Sequence, residues 1–182
     1  KELTELGANV LAYATGLMRA LEQQSVDARF SVRGAEPQPD EIVVVGVDDI
    51  TFNQLGVQWP FPRRLHARLI RRLHAAGASA IGFDVQFTEP TDPRDDNALI
   101  EAVAASPGIV LSTTEVDARG ESNVFGGETI VREIRARAAN GSVKPESGGS
   151  IRRMHYQVDG LVTFPVALAE AAGGERIEPS QF

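Results

Sequence analysis

Acidic side chains, a tryptophan and an arginine are concentrated in two neighbouring segments of the sequence, VVVGVDD and WPFPRR. Asp48 and Asp49 end the first segment, and Trp59, Phe61 and Arg63 lie in the second. Carboxylates and a guanidinium group can orient a polar ligand, while aromatic rings can form the apolar walls around it. The first chemistry that these residues suggest is therefore recognition of a small polar molecule.

Three further carboxylates follow along the chain: Asp84 lies within IGFDVQF, Glu89 in the next loop and Asp96 in the acidic run DPRDDN. Asp84 is expected to be buried, and a buried charge needs a partner of opposite sign whether or not a ligand binds. We therefore expect Arg63 to pair with Asp48 or Asp84. In a purely structural alternative, this pairing and a tryptophan that fills the core would explain the cluster without any ligand, and both interpretations remain open.

A metal-dependent hydrolase is the alternative function, because carboxylates at strand ends can bind Mg²⁺ for phosphoryl chemistry. The sequence lacks the phosphate loop GxxxxGK[ST], the dinucleotide-binding pattern GxGxxG and the DxD pattern of haloacid-dehalogenase-type phosphatases. His66 and His74 are expected at the solvent or boundary face of one helix, and no histidine pair has zinc-binding spacing. We therefore predict no catalytic residue, no cofactor and no metal. In the hydrolase alternative, the candidate metal ligands are Asp48, Asp49, Asp84, Asp92, Asp95 and Asp96.

The composition is that of a globular protein, with 42% hydrophobic and 24% charged residues in a chain of 182. The formal net charge of −7 argues against nucleic-acid binding, which usually depends on a basic surface. No cysteine is present, which excludes disulfides and cysteine-bound zinc. No apolar run approaches the ~18 residues of a membrane span, so none is predicted within this sequence.

Two helical patterns between three apolar segments determine the predicted fold. The segments Ile42–Val47, Ser79–Phe87 and 108–114 are predicted to be buried strands, because they are rich in β-branched and aromatic residues. The helices PRRLHARLIRRLHAAGA and PRDDNALIEAVAAS connect them. Crossover helices join parallel strands, so we predict an α/β domain with a mainly parallel central sheet flanked by helices in three layers.

The predicted sheet also positions the candidate site. Asp48 and Asp49 follow the first strand, and Asp84 lies near the end of the second. The carboxyl ends of parallel strands meet at one edge, where open α/β sheets bind ligands. We therefore expect these carboxylates and the loop with Trp59 and Arg63 to form one pocket.

The flanking segments complete the predicted organisation, with an N-terminal helix and lead-in at 1–34 and the α/β domain at 35–182. Residues 1–24 have the pattern of an amphipathic helix. In the C-terminal part, GGETIVREIRARAANG and TFPVALAEAAGG are predicted helices, and IRRMHYQV is a predicted strand before a turn at Asp159 and Gly160. The apolar stripe of the first helix is formed by Leu3, Leu6, Val10, Tyr13, Leu17 and Leu21.

Several of these motifs occur together, in the same order, in a known family. The region from IVVVGVDD to DPRDDN resembles the CHASE type-2 domain, an extracellular sensor attached to bacterial cyclases and histidine kinases. The family pattern is VDD, LG, WPWPR, a helix leading to AGA, a strand FDV-x-F, then EP and an acidic run. The upstream SVDARFSVRG and the downstream GGSIRRMHYQV are also similar to the family, whereas Phe61 replaces its second tryptophan.

The resemblance implies a non-catalytic extracytoplasmic sensor of a bacterial transmembrane receptor, such as an adenylate cyclase or histidine kinase, that detects an unidentified stimulus. The receptor is expected to be a homodimer without nucleic-acid partners. On this resemblance, region 1–34 is membrane-proximal, and its helix 1–24 forms the dimer contact or packs on its own domain. The family usually continues with another strand and helix, so the sheet is expected to lack a C-terminal part. The candidates for ligand binding or signal coupling are Asp48, Asp49, Trp59, Phe61, Arg63, Asp84, Glu89 and Asp96.

Overall fold

The computed structural model describes residues 18, 21–143, 145, 151 and 153–181, and the chain divides into two compact units, Lys1–Thr51 and Phe52–Phe182. Its described helices are α1 (21–33), α2 (Asp49–Leu55), α3 (Arg63–Ala75), α4 (Pro93–Ala104), α5 (Glu128–Glu133) and α6 (Phe164–Gly173). Its strands are β1 (Ile81–Phe83), β2 (Ile109–Thr113), β3 (Arg137–Asn140), β4 (Gln157–Val158) and β5 (Leu161–Val162). Short 3₁₀ turns occupy Val124–Gly126 and Pro179–Gln181.

The central sheet has the strand order β1-β2-β3, and both pairings are parallel. Leu111 in β2 aligns with Phe83 on one side and with Ala138 on the other. Every residue of β2 is buried, as expected for a central parallel strand covered on both faces. The predicted parallel α/β architecture is therefore confirmed.

Helices cover both faces of this sheet, so the predicted three-layer arrangement is also confirmed. On one face of the sheet, α6 packs through Ala167 against Val110 and Ala139. Gly82 in β1 permits this close approach, because a Cβ there would lie 2.8 Å from a methyl carbon of Leu168. On the other face, a larger core joins α3, α4 and α5 to the sheet. It includes Ile70, Leu99, Val103, Ile109, Leu111 and Val131.

The ends of α3 and α4 follow from local sequence signals. Asp92 precedes α4, and its carboxylate accepts hydrogen bonds from the backbone N–H groups of Arg94 (3.0 Å) and Asp95 (3.2 Å). Pro93 occupies the first helical position, where its missing N–H costs nothing. Gly77 follows α3 with φ 93°, the left-handed conformation that glycine adopts after a helix. These boundaries agree with the sequence prediction.

The predicted central strand Ile42–Val47 is wrong. These residues form no β ladder, and Val43 and Val44 are 80% and 81% exposed. A β-branched run becomes a strand only when a neighbour supplies hydrogen bonds and a covered face. Within the described residues of the first unit there is no other strand to do so.

The sheet instead contains β3, which lies in a segment predicted to be helical throughout. The helix α5 ends at Glu133, and Arg135 turns the chain with φ 57°. Residues 137–140 then pair with β2, because the small side chains of Ala138 and Ala139 fit between the helical layers. Tertiary pairing thus overrides the helix propensity of alanine. The prediction for the second strand was too long: of Ser79–Phe87, only Ile81–Phe83 forms a strand, which is β1.

The turn of the C-terminal hairpin was predicted correctly, but within the described part of the predicted strand 151–158 only β4 is a strand, and β5 was not predicted. β4 and β5 pair antiparallel, and Asp159 and Gly160 form the tight turn between them with φ values of 50° and 87°. Positive φ at both central residues is the geometry of the type I′ hairpin turn. The helix predicted after it is α6.

The predicted N-terminal helix lies mostly outside the described residues. Its described part, α1, continues beyond Gln24 to residue 33. Gly34, at φ 73°, ends it and donates its backbone N–H to the carbonyl of Phe30 at 3.1 Å. Within the described part of the chain, no helix combines the length and the hydropathy needed to cross a bilayer.

Candidate functional site

Arg63, the first residue of α3, is the centre of a buried polar cluster in the second unit. Its side chain is 9% exposed and forms an ion pair with Asp96 at 3.1 Å. Its Nη2 also donates a hydrogen bond to the backbone carbonyl of Glu89, and its guanidinium lies 5.5 Å from the centre of the Phe87 ring. One side chain thus joins the start of α3, the loop after β1 and the start of α4.

The partner of Arg63 is Asp96, whereas the sequence had suggested Asp48 or Asp84. The backbone N–H of Thr91 donates to Asp96 at 2.8 Å, and the Thr91 hydroxyl donates a second hydrogen bond. Partial burial raises the pKa of Asp96, but the hydrogen bonds from Thr91 and the charge of Arg63 outweigh it and hold the pKa below the ordinary 3.8. The ion pair is therefore fully charged at neutral pH.

The aromatic loop before α3 has one buried ring and one partly exposed ring. Phe61 is 6% exposed and belongs to the core, whereas Trp59 is 48% exposed. The interpretation that the tryptophan fills the core is therefore wrong, because Phe61 occupies the buried position. Trp59 packs edge-on against Phe61, with ring centres 5.3 Å apart, and its peptide bond to Pro60 is cis. About half of the surface of Trp59 is therefore exposed.

His66 is buried, which corrects the prediction of a surface or boundary histidine. Arg63, His66, Ala67 and Ile70 follow one another at helical spacing and form the inner side of α3. Burial lowers the pKa of His66, and the positive charge of Arg63 lowers it further. The rings around the imidazole, at centre distances of 5.5 to 6.2 Å, are Trp59, Phe61, Phe83 and Phe87.

Asp84 follows β1 at the carboxyl edge of the sheet, as predicted, but its side chain is exposed and not buried. The strand ends at Phe83, and Asp84 is the residue directly after it. Its carboxylate and the hydroxyl of Ser112 both approach Gly141, where an added Cβ would overlap Ser112 Oγ and lie 3.6 Å from Asp84 Oδ1. The ends of β1, β2 and β3 therefore bring these polar groups together.

Ser112 and Gly141 were missed by the sequence analysis. The polar ending of GIVLSTT was a usable signal, because it follows an apolar strand at the edge where ligands bind. Gly141 had no comparable signal, since its segment was predicted to be helical. Glu89, a predicted site residue, contributes its backbone carbonyl to Arg63, while its side chain is exposed.

Asp48 and Asp49 lie in the first unit. Asp48 precedes α2, and its Oδ1 accepts hydrogen bonds from the backbone N–H of Thr51 at 3.0 Å and from the Thr51 hydroxyl at 2.9 Å. These two hydrogen bonds hold the pKa of Asp48 below its ordinary value. Arg63 and Asp84 belong to the second unit, so the convergence of all these residues in one pocket remains a prediction.

Three of the aspartates proposed as metal ligands have structural partners in the second unit. Asp92 caps α4, Asp95 pairs with Arg64 at 2.7 Å and Asp96 pairs with Arg63. Throughout the described ranges, no three histidine or carboxylate side chains form a group that could hold a metal ion.

Comparison with known proteins gives one family. The family model described as the CHASE2 domain matches residues 6–181. No curated protein and no solved structure matches the chain.

Proposed function

Since this chain belongs to the CHASE2 domain family, we propose that it is the extracytoplasmic input domain of a bacterial transmembrane receptor, such as an adenylate cyclase or a histidine kinase. CHASE2 domains are extracellular sensory domains found in cyclases and kinases. The observation that carries the proposal is the extent of the family match, which covers nearly the whole chain. In this proposal the domain detects a stimulus and does not itself catalyse a reaction.

Within this domain, we propose that Trp59 and Asp84 contact the stimulus and that the pair of Arg63 and Asp96 couples it to the fold. The half-exposed ring of Trp59 lies 6.0 Å from the buried ring of His66. Arg63 is one helical turn before His66, on the same inner side of α3. Movement of the exposed ring would therefore be transmitted to an ion pair that holds α3 and α4 together.

The location is tested by fusing alkaline phosphatase, which is active only outside the cytoplasm, after residue 182 of the parent protein expressed in a bacterium. We expect an active phosphatase, and an inactive β-galactosidase in the matched fusion. The reverse pattern would exclude an extracytoplasmic domain and with it the receptor function.

The role of the cluster is tested in the same parent protein by its basal output. Trp59→Ala is expected to change cyclase or kinase output without loss of folded protein, because the ring is half exposed. Leu55→Ala is the matched control, since Leu55 is also partly exposed, at 42%. Equal output from both variants and the native protein would remove Trp59 from the signalling path.

We propose in addition that the intact receptor is a homodimer joined through the N-terminal helix. The described part of this helix leaves Met18 and Leu21 72% and 58% exposed, which is consistent with an unfilled contact. The chain has no cysteine, so Leu21→Cys can be tested directly for disulfide cross-linking in membranes. Gln23→Cys, about 200° around the helix, is the control, and stronger cross-linking there than at position 21 would contradict the proposal.

A further inference from the structure

Four arginines cover the outer side of α3 and form a surface that we call the arginine face. All four are exposed and lie at positions i, i+4, i+7 and i+8 of the helix. They are Arg64, Arg68, Arg71 and Arg72. With a rise of about 1.5 Å per residue, they extend over about 12 Å of the helix. A shallow groove of about 570 Å³ is lined by Arg64, Leu65, Arg68, Arg71, Arg72 and Ala75.

The charge of the arginine face is only partly compensated. Arg64 pairs with Asp95, and Arg71 donates a hydrogen bond to the backbone carbonyl of Ala98 at 3.2 Å. In the part of the chain that the structure describes, neither Arg68 nor Arg72 has an ion-pair partner. The face therefore keeps a net positive charge on a chain whose total charge is −7.

The helix itself does not require this arrangement. A cation in the last turn, such as Arg72, is favoured by the helix dipole. The dipole disfavours a cation in the first turn, where Arg64 lies, and gives no reason for Arg68 in the middle. Like charges at i and i+4 also repel one another. An anion that binds all four side chains would offset this repulsion.

We propose that the arginine face docks on an anionic phospholipid bilayer. Guanidinium groups bind phosphate oxygens through two parallel hydrogen bonds, which makes arginine well suited to phosphate headgroups. The only lining side chains without charge are the half-buried Leu65 and the small, exposed Ala75, so the contact is with headgroups and does not insert into the bilayer. A second copy is disfavoured as the occupant, because two arginine faces repel each other.

This proposal rests on the proposed function, which places the domain beside a membrane. A membrane anchor keeps the arginine face close to the surface, so a weak electrostatic attraction is sufficient to orient the domain. Docking would fix the angle between α3 and the bilayer, and release would let the domain rotate. The arginine face therefore provides an orientation contact that is separate from the cluster of Arg63 and Trp59.

The test is flotation of the chain with vesicles of phosphatidylcholine alone and with vesicles that contain 30% phosphatidylglycerol, at low salt and at 0.5 M NaCl. We expect binding only to the anionic vesicles and only at low salt. Each basic residue contributes about 1 kcal/mol near such a surface, so the double variant Arg68→Gln, Arg72→Gln should bind about thirty-fold more weakly. The matched control is Arg119→Gln, Arg132→Gln, which removes the same charge from other exposed positions.

Three outcomes would overturn the proposal: equal binding to neutral vesicles, equal weakening by the control variant, or no binding to anionic vesicles at low salt. Tighter binding to polyglutamate than to vesicles would also overturn it, in favour of an acidic protein partner. Because the assay uses the isolated chain, its result is independent of the fusion experiment. A cytoplasmic location would refute the receptor while vesicle binding could still be observed.

Discussion

Two consecutive arginines at the start of α3 have opposite environments. Arg63 is turned inward, where its ion pair with Asp96 is almost fully covered. Arg64 pairs with the neighbouring Asp95, but its side chain is 62% exposed. A buried pair leaves a costly unpaired charge when one partner is removed, whereas an exposed pair is largely replaced by water. The same substitution should therefore have very different effects at the two positions.

We predict that Arg63→Gln lowers the free energy of unfolding by about 3 kcal/mol, because Asp96 then remains partly buried without its cation. Arg64→Gln should cost less than about 1 kcal/mol. Urea unfolding followed by circular dichroism measures both. Similar losses in the two variants would show that Arg63 and Asp96 do not form a buried pair in solution.

His66 gives a second prediction at the residue scale, in the range of pH where an ordinary histidine titrates. Its pKa in the folded chain lies below 6.5, so the folded state binds fewer protons than the unfolded state as the pH falls. The contribution of His66 to stability is complete above pH 6.5 and is lost as the pH falls through the lowered pKa. The contribution of Asp96 to stability is lost in a separate, more acidic pH range, below the ordinary pKa of 3.8.

We therefore expect the native chain to lose stability between pH 7.5 and pH 5.5 (a range that spans the ordinary histidine pKa). His66→Phe, which keeps a ring among the other aromatic side chains, should lose less over the same range. The exposed His74 supplies the control His74→Gln, which should behave like the native chain. If His66→Phe and the native protein lose equal stability over this range, uptake of a proton by His66 on unfolding does not cause the loss, and the prediction is wrong.

At the scale of elements, the carboxyl edge of the sheet depends on the close approach of β2 and β3. Gly141 directly follows β3, and its Cα hydrogen occupies space that a methyl group would share with Ser112 Oγ. The Cβ of Ser112 is 3.5 Å from the same position, which is an ordinary contact distance. The steric conflict therefore involves a single hydroxyl oxygen.

We predict that Gly141→Ala destabilises the chain by about 1–3 kcal/mol through overpacking. Ser112→Ala should restore most of this loss in the double variant, because it removes the oxygen that the new methyl group meets. Thermal unfolding of the four proteins gives the coupling energy. Gly173→Ala is the control: apart from its chain neighbours and the nearby backbone of its own helix, no atom of the described residues lies within 4 Å of the added Cβ, so a gain of up to about 1 kcal/mol is expected in α6. Additive losses in the double variant would contradict the contact.

At the scale of the whole molecule, a sensory domain and a metal hydrolase predict different responses to divalent cations. A protein that binds a metal in its folded state gains about 2.7 kcal/mol when the free metal is at 100 times Kd. We expect millimolar Mg²⁺, Mn²⁺ and Ca²⁺ to leave the unfolding temperature unchanged. A stabilisation that Asp84→Asn removes would favour the hydrolase alternative, whereas the same stabilisation in Asp84→Asn would indicate a different metal site.

The local sequence was sufficient for the helices that have clear end signals. Pro62 and Gly77 delimit α3, and Asp92 with Pro93 starts α4. The order of motifs was sufficient for the family, which the match over residues 6–181 bears out. Capping, turn chemistry and helical periodicity act between residues a few positions apart, so they can be recognised without knowledge of the fold.

Only the tertiary structure decided which residues meet across the chain. It selected Asp96 as the partner of Arg63, placed His66 among four rings and made residues 137–140 a strand. It also left Ile42–Val47 without a partner strand, against its strong β propensity. Pairing and burial depend on how separate segments pack, and several partners satisfy the same local pattern. The sequence therefore defined the types of side chain at the candidate site, and packing determined their contacts.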